Sequence, residues 1–182
     1  PEAFGGVLSN GPKWCGKTTT AKQVAKSVIN MQDPSNKANY QKTVKIEPLI
    51  LLQGDKPRLI DEWQEAPELW DAIRYDIDEK QQEGLYILTG STKIDDIKIS
   101  HSGVGRISKI LMRTLSLYES NDSNGSVSLQ DLFNGNAFKM AKSDLSVRDI
   151  SEIIVRGGWP NSIGKDLKIA SRQIAGYIDS IV

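Results

Sequence analysis

The chain has 182 residues, 38% of them hydrophobic and 25% charged, with 23 basic residues balanced by 23 acidic ones. That length and globular composition fit one α/β domain with room for a small appendage. Formal neutrality gives no sign of nucleic acid or an anionic membrane surface as a partner, although a local basic patch, and with it nucleic acid, stays open.

Cys15 is the single cysteine and His101 the single histidine, so an internal disulfide is excluded and these two alone cannot build a structural zinc site. A reducing, cytoplasmic setting is the expectation. No apolar stretch approaches the ~18–20 residues that a membrane helix needs, and no signal-peptide core follows the start. The chain opens on Pro1 and closes on Val182 inside a stretch with helical spacing, the expectation for an excised fragment.

The run Phe4 to Ser9 reads as a short buried strand. It leads into Gly11-Pro12-Lys13-Trp14-Cys15-Gly16-Lys17-Thr18, two glycines spaced for a phosphate loop and followed by Lys-Thr. Such a turn can merely cap a helix. Here Thr19 to Lys26 continues as a helix with Ala21, Val24 and Ala25 on one face, so strand, loop and helix come in the order that a nucleoside triphosphate site requires. The loop from Gly11 to Thr19 would present backbone N–H groups at a helix N-terminus. Lys17 would reach the β- and γ-phosphates, and the Thr18 hydroxyl would take one position on Mg²⁺.

Ser27 to Met31 is either the end of this helix or a short second strand, and Asp33-Pro34-Ser35 breaks the pattern. A weakly amphipathic helix over 36–45, an ambiguous apolar run at 48–52 and a turn at 53–57 follow. Arg58-Leu59-Ile60-Asp61-Glu62 reads as a strand ending in two acids, and a helix spans about Glu68 to Gln82 with Leu69, Ile73 and Ile77 inward. Solvated acids at a strand exit need no function. After a phosphate loop, however, Asp61 is expected to hold Mg²⁺ and Glu62 to accept a proton from the water attacking the γ-phosphate.

Leu85 to Thr89 is a further buried strand closed by Gly90-Ser91-Thr92, and either Thr89 or Ser91 can offer a hydroxyl to the attacking water or the γ-phosphate. A polar loop over 93–104 precedes a fifth strand ending at about Arg113. Arg106, after Gly103-Val104-Gly105, is placed to stabilise transition-state charge, in cis or on a neighbouring subunit, or is simply a solvated or acid-paired arginine. The remainder reads as a turn-rich loop at 119–126, short helical segments, and helices over 147–156 and from Asp166 onward.

Together, Gly11 to Thr18, Leu59 to Pro67, Ile87 to Ser91, Gly105 to Ile107 and Arg156-Gly157-Gly158-Trp159-Pro160 resemble, in order, the prokaryotic AAA-like ATPase family whose members carry a C-terminal domain of unknown function. The resemblance implies an α/β P-loop NTPase fold: a mostly parallel five-stranded sheet flanked by helices. It implies a nucleotide-binding core over 1–115 and a helical extension over 116–182 leading to a C-terminal domain outside this sequence. It also implies Mg²⁺-dependent ATP hydrolysis, with ATP over GTP resting on the resemblance alone, and leaves room for a homo-oligomer. A nucleotide-dependent interaction module with little turnover and a small-molecule kinase are the rival readings.

Overall fold

The structure, a computed structural model, describes residues 3–91, 102–136 and 140–181. These fall into two compact units, 1–113 and 114–182. The polar loop expected at 93–104 lies mostly outside the described residues, as does His101.

The first unit is built on five parallel strands in the order β2-β3-β4-β1-β5. They are β1 (Gly6–Asn10), β2 (Ser27–Asn30), β3 (Arg58–Asp61), β4 (Tyr86–Gly90) and β5 (Ile107–Leu111). Between them run α1 (Lys17–Val24), α2 (Lys37–Ile46), α3 (Pro48–Leu51) and α4 (Glu68–Lys80). Ser27–Asn30 is thus a strand, and Pro48–Leu51 of the apolar run forms a single helical turn. Parallel strands need crossovers, and the helices supply them.

Side chains alternate across the sheet, so the register fixes who shares a face. Leu8, Ile29, Ile60 and Leu88 lie on one face, where α2, α3 and α4 complete the larger core through Val44, Leu51, Leu69, Trp70, Ile73 and Ile77. Leu59 and Ile87 point to the other face and meet Ala21 of α1. α1 is short, and Val24, expected inward, is 58% exposed. α4 carries Glu68 and Asp71 in its first turn and Lys80 in its last, which suits the helix dipole at both ends.

At the sheet edge where β3 and β4 begin, Lys56 lies 3.8 Å over the Tyr86 ring and donates to the Leu52 carbonyl at 2.7 Å. The Tyr86 hydroxyl donates to Asp76 at 2.5 Å. Burial, reinforced by the Lys80 and Arg58 charges, pushes the Lys56 ammonium down to about 8.

The second unit contains α5 (Leu129–Phe133), α6 (Val147–Arg156) and α7 (Leu167–Asp179). Ser146 and Asp149 form a reciprocal capping box on α6, and Asp166 caps α7. Arg156 is ion-paired with Asp122, and Trp159 rests against Tyr177 with ring centroids 4.5 Å apart.

The lowered Lys56 value fixes the sign of a pH effect. The folded state disfavours the protonated amine, so the unfolded chain binds more protons from about pH 8 up to the free-lysine value near 10.4, and stability rises with pH across that window. Urea unfolding of the wild type and of Lys56→Met at pH 7.5, 8.5 and 9.5 should show that the variant lacks this rise.

Candidate functional site

The carboxyl ends of parallel strands are where α/β sheets hold ligands, and the chain from Gly11 to Thr18 wraps over that edge between β1 and α1. Its conformation depends on two glycines. Gly11 has φ +153°, and a Cβ there would sit 2.1 Å from the Met112 carbonyl oxygen, because the loop runs hard against the chain leaving β5. Gly16 caps α1 in the left-handed region, at φ 101°. Trp14 is also left-handed at φ 66° with its side chain 59% exposed, whereas Cys15 is fully buried beneath the loop. Pro12, Lys13 and Thr19 are exposed on the loop surface.

Lys17 turns back into the loop. It is 7% exposed and donates to the Gly11 and Pro12 carbonyls at 2.9 and 2.7 Å, with no carboxylate in ion-pair range among the described residues. An ammonium buried against carbonyl oxygens alone still favours an anion beside it.

The edge strand β2 ends in an amide, Asn30, and the acid of this sheet edge is Asp61 at the end of β3, in register with both Asn30 and Thr89. Thr89 is in turn in register with Ser9, so these side chains share the face on which α1 lies. Asp61 is 4% exposed, and one of its oxygens, Oδ1, accepts hydrogen bonds from Thr18 Oγ1 at 2.7 Å and from Thr89 Oγ1 at 2.5 Å. Helix α1, β3 and β4 therefore meet at one carboxylate oxygen. Of the two hydroxyls offered by the sequence it is Thr89 that joins this group; Ser91, one residue past β4, makes no side-chain bond to either acid among the described residues.

Glu62 follows in the left-handed region, at φ 55° and ψ 47°, and leads into a 3₁₀ turn over Trp63–Glu65. Its Oε2 accepts a hydrogen bond from Gln64 Nε2 at 2.5 Å. Glu65 is tied to Lys37 at 2.8 Å and to Gln32 at 3.0 Å, and the Lys37 hydrogen bond holds its carboxyl below the usual range. Gln64 lies within the Leu59 to Pro67 segment that carries the resemblance, but no chemistry singled it out in the sequence, where it reads as a connector between an acid pair and a helix.

The structure does not bring Arg106 to this group. Ile107 is paired with Gly6, so Arg106 precedes the start of β5, and five residues of strand at ~3.3 Å each put about 16 Å between it and the phosphate loop of its own chain. Its guanidinium instead donates to Asp78 at 2.8 Å, a hydrogen bond that raises the arginine and lowers the acid. In this chain Arg106 makes the acid pair with Asp78 that the sequence left open for it.

A family model described as an AAA domain matches residues 6–121. Among solved structures, the chain is similar to the FIGL-1 AAA domain crystallised in complex with ADP, at 14% identity and a TM-score of 0.45, covering 98% of this chain and 65% of that one. It is also similar to PCH-2 of C. elegans at 13% identity and a TM-score of 0.39, covering 93% of this chain and 54% of that one. The chain thus spans less than two thirds of either. No curated protein matches it.

The loop's dependence on Gly11 is testable without any ligand. Gly11→Ala drives a methyl into a backbone carbonyl and should lower stability by about 1–3 kcal/mol, read as a lower urea midpoint at unchanged m-value.

Proposed function

This chain belongs to the AAA-domain family, and on that premise we propose that it binds ATP with Mg²⁺ and hydrolyses it. The observation that carries the reading is the meeting of Thr18 and Thr89 on Asp61 Oδ1 at 2.7 and 2.5 Å, beside a loop whose lysine is buried without an acid partner among the described residues. The donors suit the group. Mg²⁺ takes few protein ligands, prefers hydroxyl and carboxylate oxygens and shares phosphate oxygens with its substrate, which matches Thr18 and Asp61 better than an all-protein cage. No cluster of three or more His, Cys, Asp or Glu side chains stands ready for a metal among the described residues.

When bound, the cation supplies charge neutralisation for the phosphates. The chain's own residues do the rest. Lys17 exchanges its carbonyl partners for phosphate oxygens, and the loop amides from Lys13 to Thr18 cradle the anion. Thr89 keeps Asp61 facing α1. Glu62 accepts the proton of the attacking water, making water rather than a second substrate the acceptor and setting this reading above that of a small-molecule kinase. Because Arg106 lies at the far edge of its own sheet, a role for it at the phosphates belongs to a neighbouring copy in a homo-oligomer.

Two variants test the core of this reading. Lys17→Ala should lose measurable Mg-ATP binding in equilibrium dialysis. Glu62→Gln should bind with little change yet turn over about 10²–10⁴-fold more slowly; normal turnover in that variant would remove Glu62 as the base. Binding with no hydrolysis by the unaltered chain would instead favour a nucleotide-dependent interaction module.

The trans role of Arg106 has its own test. Arg106→Ala and Lys17→Ala, each inactive alone, should regain part of the activity when mixed, since one supplies an intact loop and the other an intact arginine. No recovery over a range of mixing ratios, with oligomers verified by light scattering, would leave Arg106 as a structural partner of Asp78.

A further inference from the structure

We propose that Gln64 is the positioning residue that aims Glu62 at the attacking water, an inference that rests on the hydrolytic reading of the same site. Its starting point is the 2.5 Å hydrogen bond from Gln64 Nε2 to Glu62 Oε2. That bond occupies one carboxylate oxygen and leaves the other without a side-chain donor among the described residues, free to take a proton. Only the amide nitrogen can face a carboxylate, so the orientation of the Gln64 amide is set by its partner.

The amide is itself held from behind. Gln64 Oε1 is buried and has no hydrogen-bond partner among the described residues, and the same is true of Trp63 Nε1. Both atoms crowd Gly90: a Cβ at that position would sit 2.4 Å from Gln64 Oε1 and 3.0 Å from Trp63 Nε1. The absence of a side chain at the end of β4 therefore makes the slot in which the amide lies. A buried acceptor left unpaired is disfavoured, and such groups persist where the surroundings over-determine them.

Trp63 supplies that determination. It is fully buried and packs on Trp70 of α4 with ring centroids 5.2 Å apart, so the turn it begins cannot shift without opening the core. Glu62, one residue earlier, is held in a left-handed conformation that a non-glycine residue seldom adopts. The direction of the carboxylate is thus fixed at both ends: the backbone by the core, the carboxylate by Gln64. Adjacent strand residues divide the work, Thr89 holding Asp61 and Gly90 admitting the amide that holds Glu62.

The experiment is a double-mutant cycle on the full chain with Mg-ATP. Gln64→Met keeps length and volume and removes the donor. It should lower kcat at least about 10-fold, as misaimed groups do, while KM and nucleotide affinity change less than about twofold. In a Glu62→Gln background the same substitution should slow turnover no further, because Gln64 acts through Glu62. Gln64→Glu, which keeps the shape and puts an acceptor where the donor was, should match or exceed the loss; it also serves if Gln64→Met fails to fold. Wild-type kcat in both variants, a further equal loss in the Glu62→Gln background, or a loss confined to nucleotide affinity would each overturn the proposal while leaving the hydrolytic reading intact. If the unaltered chain releases no phosphate, that reading fails first and this inference falls with it.

Discussion

A buried carboxylate organises the site. Asp61 sits at the end of β3 with 4% of its surface exposed, where an ionised group must be compensated by close donors. Two threonine hydroxyls from two different elements converge on a single oxygen. This couples the first turn of α1 to the ends of β3 and β4, so the phosphate loop and the acidic strand end cannot drift apart without unpairing a buried charge. A hydroxyl that donates its proton to Asp61 also turns its lone pairs away from it. For the proposed cation site this means that little reorganisation would be needed to present oxygen donors to it.

How much of this could be read beforehand depended on the kind of signal. Leu59-Ile60 and Ile87-Leu88 announced buried parallel strands because both their faces are covered, and Leu69, Ile73 and Ile77 marked α4 because burial recurs at helical spacing. β2 was ambiguous for a physical reason: it is a four-residue strand at the sheet edge with only Ile29 buried, too short to show alternation. Val24 shared an apolar face with Ala21 in the pattern, yet α1 covers only part of its sheet face and leaves Val24 in solvent. The loop and the acid pair were legible as motifs. The choice between Thr89 and Ser91 was not, since it depends on a register that pairs Thr89 with Asp61.

Arg106 shows how topology decides between readings that a pattern leaves open. The pattern identified an arginine next to a glycine before a strand, but a residue that precedes a parallel strand lies at the opposite sheet edge from one that follows it. Topology therefore separates Arg106 from Gly11–Thr18 within one chain, and the ion pair with Asp78 gives it a place on α4. The second unit makes a related point about hydrophobic pattern. The helix over 147–156 was legible, yet among the described residues of 114–182 the buried apolar side chains are Ala170 and Tyr177, while Val147 and Ile154 are 82% and 74% exposed. Period alone identifies a helix. It does not say how deeply its apolar face is buried, and the start of this helix is set by the capping box at Ser146 and Asp149.

The proposed role of Gln64 was not legible within the Leu59 to Pro67 segment, because nothing periodic marks the residue and because the role depends on Trp63 and Gly90, residues that look like a packing anchor and a turn glycine. Two left-handed non-glycine residues, Trp14 and Glu62, bracket the candidate site, and such conformations persist only where surrounding structure imposes them. For Glu62 the source is visible. The fully buried indole of Trp63 secures the adjoining turn in the larger core, and Gly90 leaves the space that the Gln64 amide fills. The direction of a single carboxylate is thus set by the packing of the whole sheet face carrying α4, which is why a site on a short turn can be held as firmly as one on a strand.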